Sequence, residues 1–101
     1  MIIRGGENIQ RQEVEDVLHA HPKIDEAAVI GIPHPDWGQE PRAVVVLKKG
    51  QEVDTEEILA YCRARLAGFK RPESVILIDS LPRNPMGKVL KRKLREKYGQ
   101  P

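Results

Sequence analysis

Two continuous apolar runs, Ala27 to Ile32 and Ala43 to Leu47, constrain this chain more than any other feature. A strand with one wet face alternates apolar and polar side chains, whereas a run without alternation is covered on both faces. The loop between the runs carries Pro33, Pro35, Gly38 and Pro41, residues that end strands and turn the chain. The expectation is a pair of antiparallel strands with cover above and below.

The rest of the chain supplies that cover. Val14, Val17 and Leu18 recur at helical spacing over residues 11 to 20, and His21-Pro22 stops the pattern because proline disfavours helix in the residue before it. Asp54 followed by Glu57 resembles a capping box, with Ile58, Leu59, Cys62 and Leu66 as the apolar stripe of a second helix that ends near Gly68. Ser74 to Ile78 reads as a third strand, rich in β-branched residues. Pro82 and Pro85 keep the chain extended to Gly87, after which Leu90, Leu94 and Tyr98 form the narrow seam of a last helix. This is one small α+β domain, a three-stranded sheet with flanking helices, without repeats or an interior linker. A chain of 101 residues leaves little room for a deep substrate cavity.

Composition excludes several classes. At 40% hydrophobic residues the chain is too apolar for a disordered segment. The single cysteine, Cys62, rules out an internal disulfide and reads as a small buried side chain, in keeping with a reducing cytoplasm. No stretch approaches the ~18 apolar residues of a membrane span, and Met-Ile-Ile-Arg-Gly-Gly lacks the apolar region of a signal peptide. A cytoplasmic location without membrane span is expected.

The net charge of +2 conceals a division: residues 1 to 82 hold ten basic and fourteen acidic side chains, residues 83 to 101 seven basic and one acidic. A last helix carrying Lys91, Arg92, Lys93, Arg95 and Lys97 suits phosphate, nucleic acid or simply water. Aromatic residues are only 4% of the chain, so stacking platforms for nucleic acid are scarce and no nucleic-acid partner is expected. A small basic nucleic-acid-binding or protein-interaction module is the alternative to an enzymatic reading.

The leading candidate for chemistry is Lys88, carried by Pro82-Arg83-Asn84-Pro85-Met86-Gly87-Lys88 on a Pro/Gly turn ahead of the basic helix. Gly87-Lys88 is not a phosphate loop, because Pro82 stands where that motif needs glycine and Val89 where it needs Ser or Thr. His19 and His21 point about 200° apart on a helix, and His34 lies in a distant loop, so the three read as surface histidines and no metal site is expected. Glu13, Glu15 and Asp16 read as a solvated helix face, and no complete catalytic constellation is present. Gly5-Gly6-Glu7-Asn8 is either a flexible turn with Asn8 near the helix cap or a backbone that a ligand approaches closely.

Three segments in order resemble the C-terminal domain of acyl-CoA synthetases in the adenylate-forming superfamily. They are Ile3-Arg4-Gly5-Gly6-Glu7-Asn8-Ile9 leading to Glu13-Val14-Glu15, then Ala27 to Pro33 with Trp37-Gly38, and finally Pro82 to Lys88. Gly68-Phe69-Lys70-Arg71-Pro72 is similar to the fatty-acyl and aryl branch. The resemblance spans nearly the whole chain. It departs at the start of the first helix, where Gln10 and Arg11 replace an aromatic or serine and a proline.

The resemblance implies a two-step reaction: a carboxylic acid, fatty or aryl, attacks ATP to give acyl-adenylate and pyrophosphate, and CoA then displaces AMP, with Mg2+ accompanying the ATP. It implies that residues 1 to 101 are a mobile lid whose partner is its own large N-terminal adenylation domain, with that domain and the hinge absent from these residues. Lys88 would serve adenylation, Gly5, Gly6 and Glu7 would line the CoA tunnel after the lid rotates, and Lys70 would meet the CoA nucleotide. The 101 residues alone are expected to be inactive.

Overall fold

The apolar runs pair with each other in a single sheet in the computed structural model, which describes residues 2–4, 7–36 and 38–100, with backbone alone at positions 3, 4, 7, 8 and 69. The order is β1 (Ile2–Arg4), β2 (Glu7–Ile9), α1 (Arg11–His19), β3 (Ile24–His34), β4 (Gly38–Leu47), α2 (Thr55–Arg63), a 3-10 turn (Gly68–Lys70), β5 (Ser74–Leu77) and α3 (Lys91–Tyr98). β3 and β4 pair antiparallel from Ile24 opposite Leu47 to His34 opposite Gly38. β5 returns parallel to β4, as a strand reached through a helical crossover does.

Burial on both faces follows from the two-residue period of a strand. Ala27, Val29, Ala43 and Val45 share one layer with Val14 and Leu18 of α1 and Ile58 and Cys62 of α2. Ala28, Ile30, Ile32, Val44 and Val46 point the other way, against Leu81 and against Leu94 of α3. The sheet therefore separates two apolar layers, which is why neither run alternates. Arg42 ties α3 down, its guanidinium donating to the carbonyls of Tyr98 and Gln100, each at 2.6 Å, and to Ser74 Oγ at 2.8 Å.

The α+β class and the three expected strands are present, and the sheet carries two further strands. β1 and β2 form a three-residue hairpin joined to the start of β4 through Arg4 and Gly38. Asn8 accordingly lies in β2, and the residue before α1 is Gln10, whose side chain makes no cap. Gly5, Gly6 and Trp37 lie outside the described residues. At α2, Asp54 caps as expected, accepting from the Glu56 amide at 3.1 Å.

Three side chains expected at the surface are engaged. His21 is 6% exposed, packs edge-on against Tyr61 with ring centroids 4.7 Å apart and stands 3.6 Å from Glu57. Its partners come from α2, so local sequence gave no sign of burial. Glu15 accepts from the Val29 amide at 2.8 Å and pairs with Lys91, and Glu13 pairs with Lys70 at 2.9 Å. Glu13 and Glu15 are thus anchor points rather than a solvated face.

Burial pushes the Cys62 thiol up to about 11, against a smaller opposing pull from Arg65. Because the thiolate is the nucleophile, iodoacetamide at pH 8 should leave Cys62 of the folded chain unmodified and label it rapidly once urea exposes it. Fast labelling of the native chain, read by mass spectrometry, would contradict the packing described.

Candidate functional site

Lys88 is held by a hairpin with a local set of backbone hydrogen bonds. Arg83 and Val89 bridge antiparallel, the Asn84 amide donates to the Lys88 carbonyl at 2.9 Å, and the Gly87 amide donates to the Asn84 carbonyl at 2.9 Å. This is the pattern of a three-residue loop, Pro85-Met86-Gly87, in which a turn is followed by a left-handed glycine. Each residue has a reason: Pro85 presets its φ, Gly87 takes φ +87°, and Asn84 Oδ1 accepts from both the Met86 and Lys88 amides at 3.0 Å.

The conformation of Gly87 is one that glycine adopts freely and other residues do not. A Cβ there would meet nothing within 4 Å, so any cost of substitution is conformational rather than steric. Gly87→Ala should destabilise the chain by about 1–2 kcal/mol in urea titration. Gly87→Asn should lose less, because asparagine tolerates the left-handed region. Equal stability of all three proteins would contradict the turn geometry.

The hairpin presents Lys88 to solvent beside Met86, which is 92% exposed. The Lys88 ammonium has no ion pair among the described residues. It opens on a shallow groove of about 630 Å3 shared with Arg11, Asn84, Leu90 and Arg92. Cationic side chains over an apolar floor suit an anionic ligand with a flat or apolar neighbour. Among the described residues no three His, Cys, Asp or Glu side chains converge to hold a metal ion.

Lys70 is elsewhere. It sits in the 3-10 turn against β2, with its ammonium on both carboxylate oxygens of Glu13, at 2.9 and 3.0 Å. Helix α1 gives the relation between the two lysines. At about 100° per residue, Arg11 and Glu15 lie about 40° apart on one flank of the buried stripe and Glu13 about 160° from both on the other. Arg11 lines the Lys88 groove and Glu13 holds Lys70, so the two lysines belong to opposite flanks of one helix. Of the sequence candidates, the structure brings the 3-10 turn that carries Lys70 against β2, the strand that begins at Glu7.

Sequence reasoning missed Arg83, Glu26 and Glu15 as parts of this region. Arg83 Nη1 donates to the Gly87 carbonyl at 2.6 Å while Nη2 pairs with Glu26 of β3. Lys91, at the other foot of the hairpin, pairs with Glu15. None of these pairs spans fewer than fifty residues of sequence, and no local pattern announces them.

Residues 13–88 match the family model of the AMP-binding enzyme C-terminal domain. The chain is 48% identical over 99 residues to a feruloyl-CoA synthase of an Amycolatopsis species, a match that covers 98% of this chain and 20% of that protein. It is 47% identical over 98 residues to the long-chain-fatty-acid–CoA ligase FadD13 of Mycobacterium tuberculosis, covering 97% of this chain and 19% of that one. Among solved structures, ATP-bound MatB from Rhodopseudomonas palustris superposes with a TM-score of 0.91 at 46% identity, over 96% of this chain and 19% of that chain. A Mycobacterium tuberculosis fatty acyl CoA synthetase gives 0.91 at 46% identity, over 100% of this chain and 20% of that chain. The chain spans about a fifth of the length of the relatives it matches.

Proposed function

Since the chain belongs to the AMP-binding enzyme C-terminal domain family, we propose that it is the mobile lid of an ATP-dependent acid–CoA ligase, with Lys88 as the adenylation lysine. The observation that carries the reading is the placement of Lys88: exposed, without an ion pair among the described residues, and fixed by a turn in which Asn84 accepts from the Met86, Gly87 and Lys88 amides. Such an ammonium has no structural task. It is pre-oriented to meet charge that builds between a carboxylate and the α-phosphate of ATP.

Lys70, paired with Glu13, lies on the other flank of α1, and its 3-10 turn packs against β2, which supports a second orientation for thioester formation. There the Gly5-Gly6-Glu7 segment would border the pantetheine chain and Lys70 the CoA nucleotide, after giving up Glu13. ATP, CoA and a fatty or aryl acid are the substrates in this reading. The larger adenylation domain would hold the ATP with its Mg2+, and the described residues of this chain form no metal cluster of their own.

The test is a domain exchange. The 101 residues replace the matching segment of the Amycolatopsis feruloyl-CoA synthase, and acid-dependent ATP–pyrophosphate exchange and CoA thioester formation are measured for the chimera and for the 101 residues alone. The expected result is both activities in the chimera and neither in the separate chain. A correctly folded chimera without exchange, or thioester formation by the 101 residues alone, would overturn the reading.

A further inference from the structure

Arg83 forks between the hairpin and the body of the domain. Its Nη2 pairs with Glu26 on β3, and its Nη1 donates to the carbonyl of Gly87, the residue immediately before Lys88. The opposite foot of the hairpin is fixed by Lys91, whose ammonium meets Glu15 of α1 and lies 3.4 Å from the Val29 carbonyl on β3. Both ion pairs line one small groove of about 240 Å3 beneath Val89. The hairpin is thus held at each foot by a charge on the body of the domain, and the Arg83 hold acts on Gly87, next to Lys88.

We propose that Arg83 is a positioning residue for Lys88, with Glu26 as its anchor. The apolar grip of the hairpin is Val89, partly buried against the layer of Leu81 and Leu94, while Pro85, Met86 and Gly87 are exposed. Its internal hydrogen bonds fix its shape, but not its tilt relative to the sheet. The guanidinium fixes that tilt, because two nitrogens of one rigid plane hold a β3 carboxylate and a hairpin carbonyl at once. A lysine at 83 carries the same charge and cannot hold both with a planar fork. The inference rests on the ligase reading for its effect on chemistry, and on the contacts alone for its effect on geometry.

The experiment therefore has two arms. In the first, 15N relaxation is measured on the 101-residue chain as wild type, Glu26→Gln, Arg83→Lys and Arg83→Met. Amide order parameters at Gly87 and Lys88 should fall from the rigid range near 0.85 to below about 0.6 in Arg83→Met, with a smaller fall in Arg83→Lys, while β3 and β4 amides hold. Unchanged values at Gly87 and Lys88 in a folded variant would overturn the clamp. If Arg83→Met does not fold, Arg83→Lys and Glu26→Gln decide the matter.

In the second arm the same substitutions enter the feruloyl-CoA synthase chimera. Arg83→Lys should lower kcat of ATP–pyrophosphate exchange about tenfold to a hundredfold, the scale of a small misplacement of a reacting group. The KM for ATP and thioester formation from preformed acyl-adenylate should hold. In a Lys88→Ala background the Arg83 substitution should cost nothing more, because there is no ammonium left to place. An equal further loss in that background would show a role apart from Lys88 and overturn the proposal. A parent chimera without any exchange defeats the ligase reading instead, and the relaxation arm still decides the clamp.

Discussion

Lys88→Ala in the chimera should slow ATP–pyrophosphate exchange by about 10²- to 10³-fold, equivalent to ~3–4 kcal/mol, while leaving the conversion of preformed acyl-adenylate to thioester near its original rate. The size comes from where the charge acts. An ammonium held in a closed, water-poor site opposes developing negative charge at far lower effective dielectric than the same group in bulk water. The selectivity comes from the opposite placement of Lys88 and Lys70 about α1. Stability should be untouched, since an exposed side chain without ion pairs among the described residues makes no packing to lose. Lys88→Arg should not restore the rate, because a guanidinium is longer and planar where a point charge is needed. Loss of both half-reactions to the same degree would contradict two working orientations.

The largest effect on stability is expected at Glu15. Its side chain is 12% exposed and does two things at once: it accepts from the Val29 amide, on the edge of β3 that faces away from β4, and it pairs with Lys91, itself 27% exposed. Glu15→Ala would leave a sheet-edge donor without a partner and a half-buried ammonium without its counter-charge. Removing one member of a buried pair costs about 3–5 kcal/mol, and the residual exposure of Lys91 puts this case toward the lower end. Urea titration should show the midpoint falling with the slope preserved. Glu15→Gln keeps an acceptor for the Val29 amide and should lose clearly less. Loss of Glu15 also uncovers part of an edge strand, so the alanine variant should aggregate sooner on warming.

The same residue shows how far the sequence could be read. The apolar runs, the helical spacing of Val14 and Leu18, the Asp54 cap and the Pro/Gly turn are local patterns, and each led to the right element. The turn that carries Lys88 was legible because its chemistry is written in four adjacent residues, Asn84 to Gly87. β1 and β2 were not, for three residues are too few to display a period of two, and a double glycine between them reads as a loop. Nor were the charged anchors. Glu15 meets Lys91 across seventy-six positions and Glu26 meets Arg83 across fifty-seven, so a surface carboxylate and an anchoring one look alike until the chain is folded. His21 escaped for the same reason, its cover coming from Tyr61 and Glu57 of another helix.

Helix α1 carries Glu13 and Arg11 on opposite flanks, and for a larger domain this amounts to a turnstile. In the proposed reading a fixed point on that larger domain would face one lysine at a time, since the helix residues beside them, Arg11 and Glu13, lie about 160° apart. An enzyme built around such a spindle would need no separate signal to keep its second substrate from intruding on its first step. Entry of the thiol would have to wait for the turn that withdraws Lys88, and order of reaction would be a matter of geometry.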